Sequence, residues 1–178
     1  MSRRTRLTLT TLAALCIAVA APAGNAVSQQ KQQVSIKIPG EGAKYGLQQN
    51  VVVGDAPSHI VRVFEVHYAI PANAPSINGL KLVEAWQRGN ADIADGAGTG
   101  PSYFVFAMEN GDKFFVRNTN IVQPAGSGKL AATGVGHITG GTGKLGTIQG
   151  ITRISTTFDP IAGITGETQV DIEYSMGK

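Results

Sequence analysis

Between Val34 and the C terminus, no stretch of about a dozen residues repeats its apolar side chains at the 3.6-residue period of a helix. Short alternating or β-branched runs recur instead, bounded by Gly, Pro and Asn. They lie at Val34–Ile38, Leu47–Val53, Ile60–Ile70, Leu80–Arg88, Tyr103–Glu109, Lys113–Val122, Lys129–Ile138, Thr147–Phe158 and Thr168–Ser175. Strands this short, with turn residues at regular intervals, predict an all-β sandwich or barrel in which helix is limited to one or two turns.

The strongest local signal is Ser102-Tyr-Phe-Val-Phe-Ala-Met-Glu-Asn-Gly-Asp-Lys-Phe-Phe-Val-Arg117. Asn110-Gly111 predicts a two-residue type I′ hairpin loop, because both central positions of that turn need positive φ. Such a loop sets Phe106 opposite Phe115 and Ala107 opposite Phe114. Phe104, Phe106, Met108 and Phe115 then share one face, and Tyr103, Val105, Ala107, Phe114 and Val116 the other. Two apolar faces predict that the second is covered by another element or another subunit. A homo-oligomer is therefore expected. The longest connections, Pro71–Gly79 and Gly89–Pro101, read as loops, the latter as a mobile flap at a barrel mouth.

Residues 1–26 read as a secretory signal peptide. Arg3, Arg4 and Arg6 precede an uncharged run from Leu7 to Ala21, followed by small residues. The run is shorter than the roughly 20 residues a membrane-spanning helix needs. It predicts an exported, periplasmic or secreted protein with no span after cleavage. A polar lead-in, 27–33, precedes a single domain, 34–178, long enough to bury about 70% of its unfolded surface. Three of the fifteen basic residues lie in the leader, so those that remain match the twelve acidic ones. No basic stripe is left for a nucleic acid. Cys16 is the only cysteine and also lies in the leader, which excludes disulfides and thiolate chemistry from the mature domain.

Glycine is densest from Gly126 to Gly150. Gly141-Thr-Gly-Lys-Leu-Gly146 spells a dinucleotide-type motif, but strand-like residues follow where a helix would have to begin. The segment Ile138-Thr-Gly-Gly-Thr-Gly-Lys-Leu-Gly-Thr-Ile-Gln-Gly150 resembles the glycine-rich signature of the dirigent and allene oxide cyclase-like barrels. Glu109–Lys113, Phe158-Asp-Pro160, Gly166-Glu167 and Glu173-Tyr174 extend the likeness over the second half of the chain, toward secreted bacterial members with no assigned activity. The resemblance implies an eight-stranded antiparallel β-barrel (nine if every run above is a separate strand) around an apolar cavity, often in dimers or trimers. It carries no catalytic residue onto a position of this sequence.

Two strands hold the best site candidates. Glu65 and His67 project from one face of Ile60–Ile70 with Val61, Val63 and Ala69. If that face lines the cavity, Glu65 can orient His67 as an acid–base pair; if it faces out, they are ordinary polar residues. Glu84, Trp86 and Arg88 share a face of the next strand, where Trp86 would either floor an apolar pocket with the charges fixing a polar ligand end or pack in the core with the charges snorkelling at a rim. Tyr103 stands beside the flexible Gly96–Pro101 segment. The connection between these strands leaves their register open. His59, His67 and His137 lie on separate segments without metal-ligand spacing, so neither a metal nor a cofactor is expected. A barrel binding a small apolar ligand is the first reading. A cofactor-free isomerase or cyclase and a packed structural oligomer are the alternatives.

Overall fold

The computed structural model describes residues 30–177, so the signal-peptide reading falls outside the described residues. Nine strands form one antiparallel sheet: β1 (Gln32–Ile38), β2 (Ala43–Val52), β3 (Ile60–Ala69), β4 (Leu82–Ala94), β5 (Ala97–Met108), β6 (Lys113–Gly126), β7 (Lys129–Gly141), β8 (Ile148–Asp159) and β9 (Ile164–Met176). Their order is β1-β9-β8-β7-β6-β5-β4-β3-β2, leaving β1 and β2 as the two edges. Every neighbour is antiparallel, so the first and ninth positions run the same way. Yet β1 and β2 are consecutive in the chain, joined only through a 3₁₀ turn at Gly40–Gly42. A link that short brings the two edges of the sheet together, and the sheet must curl to allow it. Contacts across the curl agree. Gln48 of β2 donates to the Pro160 carbonyl in the β8–β9 turn at 2.8 Å, and Arg62 of β3 lies over the ring of Phe158 of β8.

The expected register of the β5–β6 hairpin is corrected by one residue. Phe106 pairs with Phe114 and Ala107 with Lys113. Met108 N–H donates to Asp112 O, and Gly111 N–H donates to Met108 O. The loop is thus three residues long, with Gly111 alone at positive φ (86°), the geometry of a type I turn closed by a glycine bulge. Asn110 does not take a left-handed conformation. Its side chain accepts from Asp112 N–H at 3.0 Å instead, the backbone mimicry that suits Asn to turns. A one-residue slip exchanges the faces of a strand. Phe104, Phe106, Met108, Phe114 and Val116 therefore all point inward and are buried, with Phe106 stacked on Phe114 at 4.5 Å.

Type I′ chemistry appears elsewhere. Asp95 and Gly96 both have positive φ and join Ala94 to Ala97 in register. The segment expected to be a flap, Gly89–Pro101, is consequently the tip of a long β4–β5 hairpin.

The interior is layered. A large apolar cluster includes Leu82, Phe104, Phe106, Phe114, Leu145 and Tyr174. A smaller cluster of Ala91, Ile93, Val122, Leu130 and Phe158 sits toward the end formed by the β4–β5 and β6–β7 turns.

Candidate functional site

On β3 the buried side chains are Arg62, Val66 and Tyr68, so Glu65 and His67 project outward. On β4 a register irregularity between Leu82 and Glu84 puts Leu82, Ala85, Ala91 and Ile93 inside, and Glu84, Trp86 and Arg88 outside. Tyr103 is 51% exposed on the outer face of β5. None of the six residues singled out from the sequence lines the interior. They do gather on one outer strip. Arg88 Nε donates to Glu65 Oε2 at 2.6 Å, following the cross-strand pairing of those residues. His67 Nε2 meets Glu84 Oε2 at 2.9 Å and packs its ring 4.4 Å from that of Trp86. The Arg88 guanidinium covers the same indole at 5.3 Å, across the strand from Tyr103. Glu65 and His67 are each held by a partner on β4 rather than by one another, as the outward-facing alternative has it. Solvent-facing pairs of this kind contribute little, typically under about 1 kcal/mol.

The polar groups that face inward are others. A hydrogen-bonded belt crosses the interior between the two apolar clusters. Tyr68 Oη donates to Gln87 Oε1 at 2.7 Å, and Gln87 Nε2 donates to Ser102 Oγ at 3.2 Å. Asn120 Nδ2 donates to Ser102 Oγ and to the Gly100 carbonyl, both at 3.0 Å. Asn118 Nδ2 donates to Asn120 Oδ1 at 2.8 Å. Gly134 and Gly136 lie against this belt. A Cβ at Gly134 would overlap the amides of Asn118 and Asn120, and one at Gly136 would overlap Asn118 and Thr152. The backbone of β7 thus comes as close as it does because both residues lack a side chain.

Beside the belt lies Arg62, only 2% exposed. Its guanidinium carbon stands 5.1 Å from the Tyr45 ring centre, 5.1 Å from Phe158 and 5.9 Å from Phe64. Among the described residues, neither its Nε nor either Nη has a hydrogen-bond partner. Together these residues line a cavity of about 50 Å³, with Val66, Tyr68, Gln87, Ile93, Asn120, Val122 and Thr165 among its walls. Burial raises the pKa of the Tyr45 hydroxyl, against the pull of Arg62, and pushes that of Tyr68 far above its ordinary value of 10.0. Both phenols stay neutral.

No family model and no curated protein matches the chain. A solved structure, that of a pterocarpan synthase dirigent protein, is similar to it. The match has 12% identity and a TM-score of 0.47, and covers 93% of this chain and all of that one. A likeness at that level supplies no residue roles.

At the turn-bearing end, His59 is held between two carboxylates. Nδ1 meets Asp55 Oδ1 at 2.6 Å and Nε2 meets Asp92 Oδ1 at 2.7 Å. Hydrogen bonds to Asp92 and Asp55 raise the histidine's pKa, and the bond to His59 lowers that of Asp55. The clamp ties the β2–β3 turn to β4. Ser58, bonded to Asp95, adds a second tie.

Proposed function

We propose that this protein is an exported barrel that binds a small, partly apolar ligand in its interior and performs no chemistry on it. In this reading β1 and β2 act as one bent strand, paired to β9 through its first half and to β3 through its second, so the curled sheet works as a closed wall. One observation carries the proposal. A polar belt and a buried arginine border a cavity inside an otherwise apolar interior, and several of their atoms have no protein partner. Buried polar atoms are normally satisfied, and an interior kept only for stability is better filled with hydrocarbon.

Binding is favoured over the isomerase or cyclase alternative by the lining itself. Among the described residues its walls include no Asp, Glu or His, the usual general acids and bases, and its phenols are pushed away from a working pKa. The leader supports export. The test is a two-dimensional NMR titration of the purified protein with a fragment library. Saturable shifts confined to Tyr45, Phe64, Gln87, Asn120 and Phe158 are expected. Shifts confined to the outer strip around Trp86 would refute the interior site.

A further inference from the structure

An arginine keeps its charge in any protein environment, since its guanidinium does not deprotonate there. A buried one therefore has to be answered by a counter-charge or by several acceptors. Among the described residues Arg62 has neither. No carboxylate of those residues lines its cavity. Tyr45, whose hydroxyl lies beside Arg62 and Thr165, stays protonated and supplies no negative charge. That proximity pulls on the Tyr45 hydroxyl but falls short of hydrogen-bond geometry. The Arg62 nitrogens and Thr165 Oγ1 all lack a partner within hydrogen-bonding geometry.

What surrounds the guanidinium is aromatic. The rings of Tyr45, Phe64 and Phe158 contribute cation–π attraction, which acts through ring faces and leaves the N–H donors unbonded. Those donors form a planar fork that matches the two oxygens of a carboxylate. Thr165, only 5% exposed, adds a free hydroxyl at the same wall.

Resting on the ligand-binding reading above, we infer that the ligand is a monocarboxylate whose head group pairs with Arg62. A single unanswered positive charge calls for a single negative one. Size sets the rest. A cavity of about 50 Å³ is roughly a third of the approximately 150 Å³ that accommodates benzene. It takes a carboxylate and one or two carbons. A longer apolar tail would have to extend among Ile93, Val122 and Phe158 of the smaller cluster, toward the end closed by the β4–β5 and β6–β7 turns.

The experiment titrates the purified protein with acetate, propionate, butyrate and benzoate at constant ionic strength, against propionamide and 1-butanol as neutral counterparts and chloride as an inorganic anion. Thermal shift and the Arg62 Nε–Hε resonance are read together. Saturable carboxylate binding that moves the Arg62 resonance, at least tenfold tighter than the matching amide, is expected. Arg62→Lys should weaken it about tenfold, and Arg62→Met should weaken it a hundredfold or more. If the neutral compounds bind as well as the acids, or Arg62→Met binds acids unchanged, the inference falls and the ligand-binding reading stands. If chloride competes as well as propionate, an inorganic anion is the ligand and the carboxylate assignment falls. If nothing binds, both fall. The Arg62 resonance is followed in the unaltered protein, so the outcome does not depend on a variant folding.

Discussion

Replacing Arg62 by methionine should make the unliganded protein more stable, contrary to the usual result of removing a buried side chain. Three buried nitrogens without protein partners each forgo about 1–3 kcal/mol. Against this stand three ring contacts worth about 0.5–2 kcal/mol apiece. Methionine keeps the stem's packing and places sulfur against the same rings, returning about 0.3–1.5 kcal/mol. Taken at their midpoints, these favour the variant by about 3 kcal/mol, within the range seen when buried ionic groups give way to packed apolar ones. For a domain of this size that is a rise in Tm of roughly 6–12 °C. Methionine is the informative choice because alanine would open a cavity and confuse the sign. Thermal unfolding followed by circular dichroism, with urea titration to check that m is unchanged, measures it. A fall in Tm of similar size would show that the guanidinium is well satisfied in the folded state. The orphaned cation and the ligand class drawn from it would then lose their footing.

Four further outcomes are open to measurement. Gly134→Ala places a methyl group on the Asn118 and Asn120 amides, so urea unfolding should show a loss of about 1–3 kcal/mol; an unchanged midpoint would refute the belt. Gly111→Val forces a β-branched residue to φ 86° and should cost about 1–2 kcal/mol, whereas Gly111→Asn, which tolerates that region, should cost less. The His59 clamp depends on pH: its raised pKa contributes stability that is full below the ordinary value of 6.5 and fades as pH rises through the folded value, while Asp55's lowered pKa sets the acid limit. Once corrected for intrinsic rates, amide exchange in residues 54–58 should be faster at about pH 9 than at about pH 6, and His59→Gln should remove the difference. Tyr103, Ile121 and Val135 are exposed on the outer face of β5–β7, and light scattering at micromolar concentration is expected to find a dimer or trimer; a monomer would refute that expectation.

The strands were legible because alternation is a local property. All nine runs have counterparts in the sheet, since β-branched and aromatic residues between turn formers leave few other options. The losses came where two turn chemistries share the same residues. Asn110-Gly111 satisfies a two-residue type I′ loop on composition, but equally a three-residue loop in which only the glycine needs positive φ. The choice shifts the register by one and reverses which of Phe114 and Phe115 is buried. Asp95-Gly96 is a genuine type I′ turn, masked by Gly, Ala and Asn on either side, which read as a loop although the ladder runs through them.

Which face of β3 turns inward decides the site, and the same strand held the answer. Its odd positions carry Val61, Val63, Glu65, His67 and Ala69; its even positions carry Ile60, Arg62, Phe64, Val66 and Tyr68. The even face has the larger apolar surface and a single charge, so the balance of burial favours turning it inward and takes Arg62 along. Glu65 and His67 stand out in the sequence because paired ionisable groups look like chemistry. But two ionisable groups on one strand face are easily solvated together, and here each is answered by a partner on β4. A lone charge on an otherwise apolar face is the costlier arrangement. Its retention at Arg62 needs a reason that folding stability does not provide, and an anionic ligand supplies one.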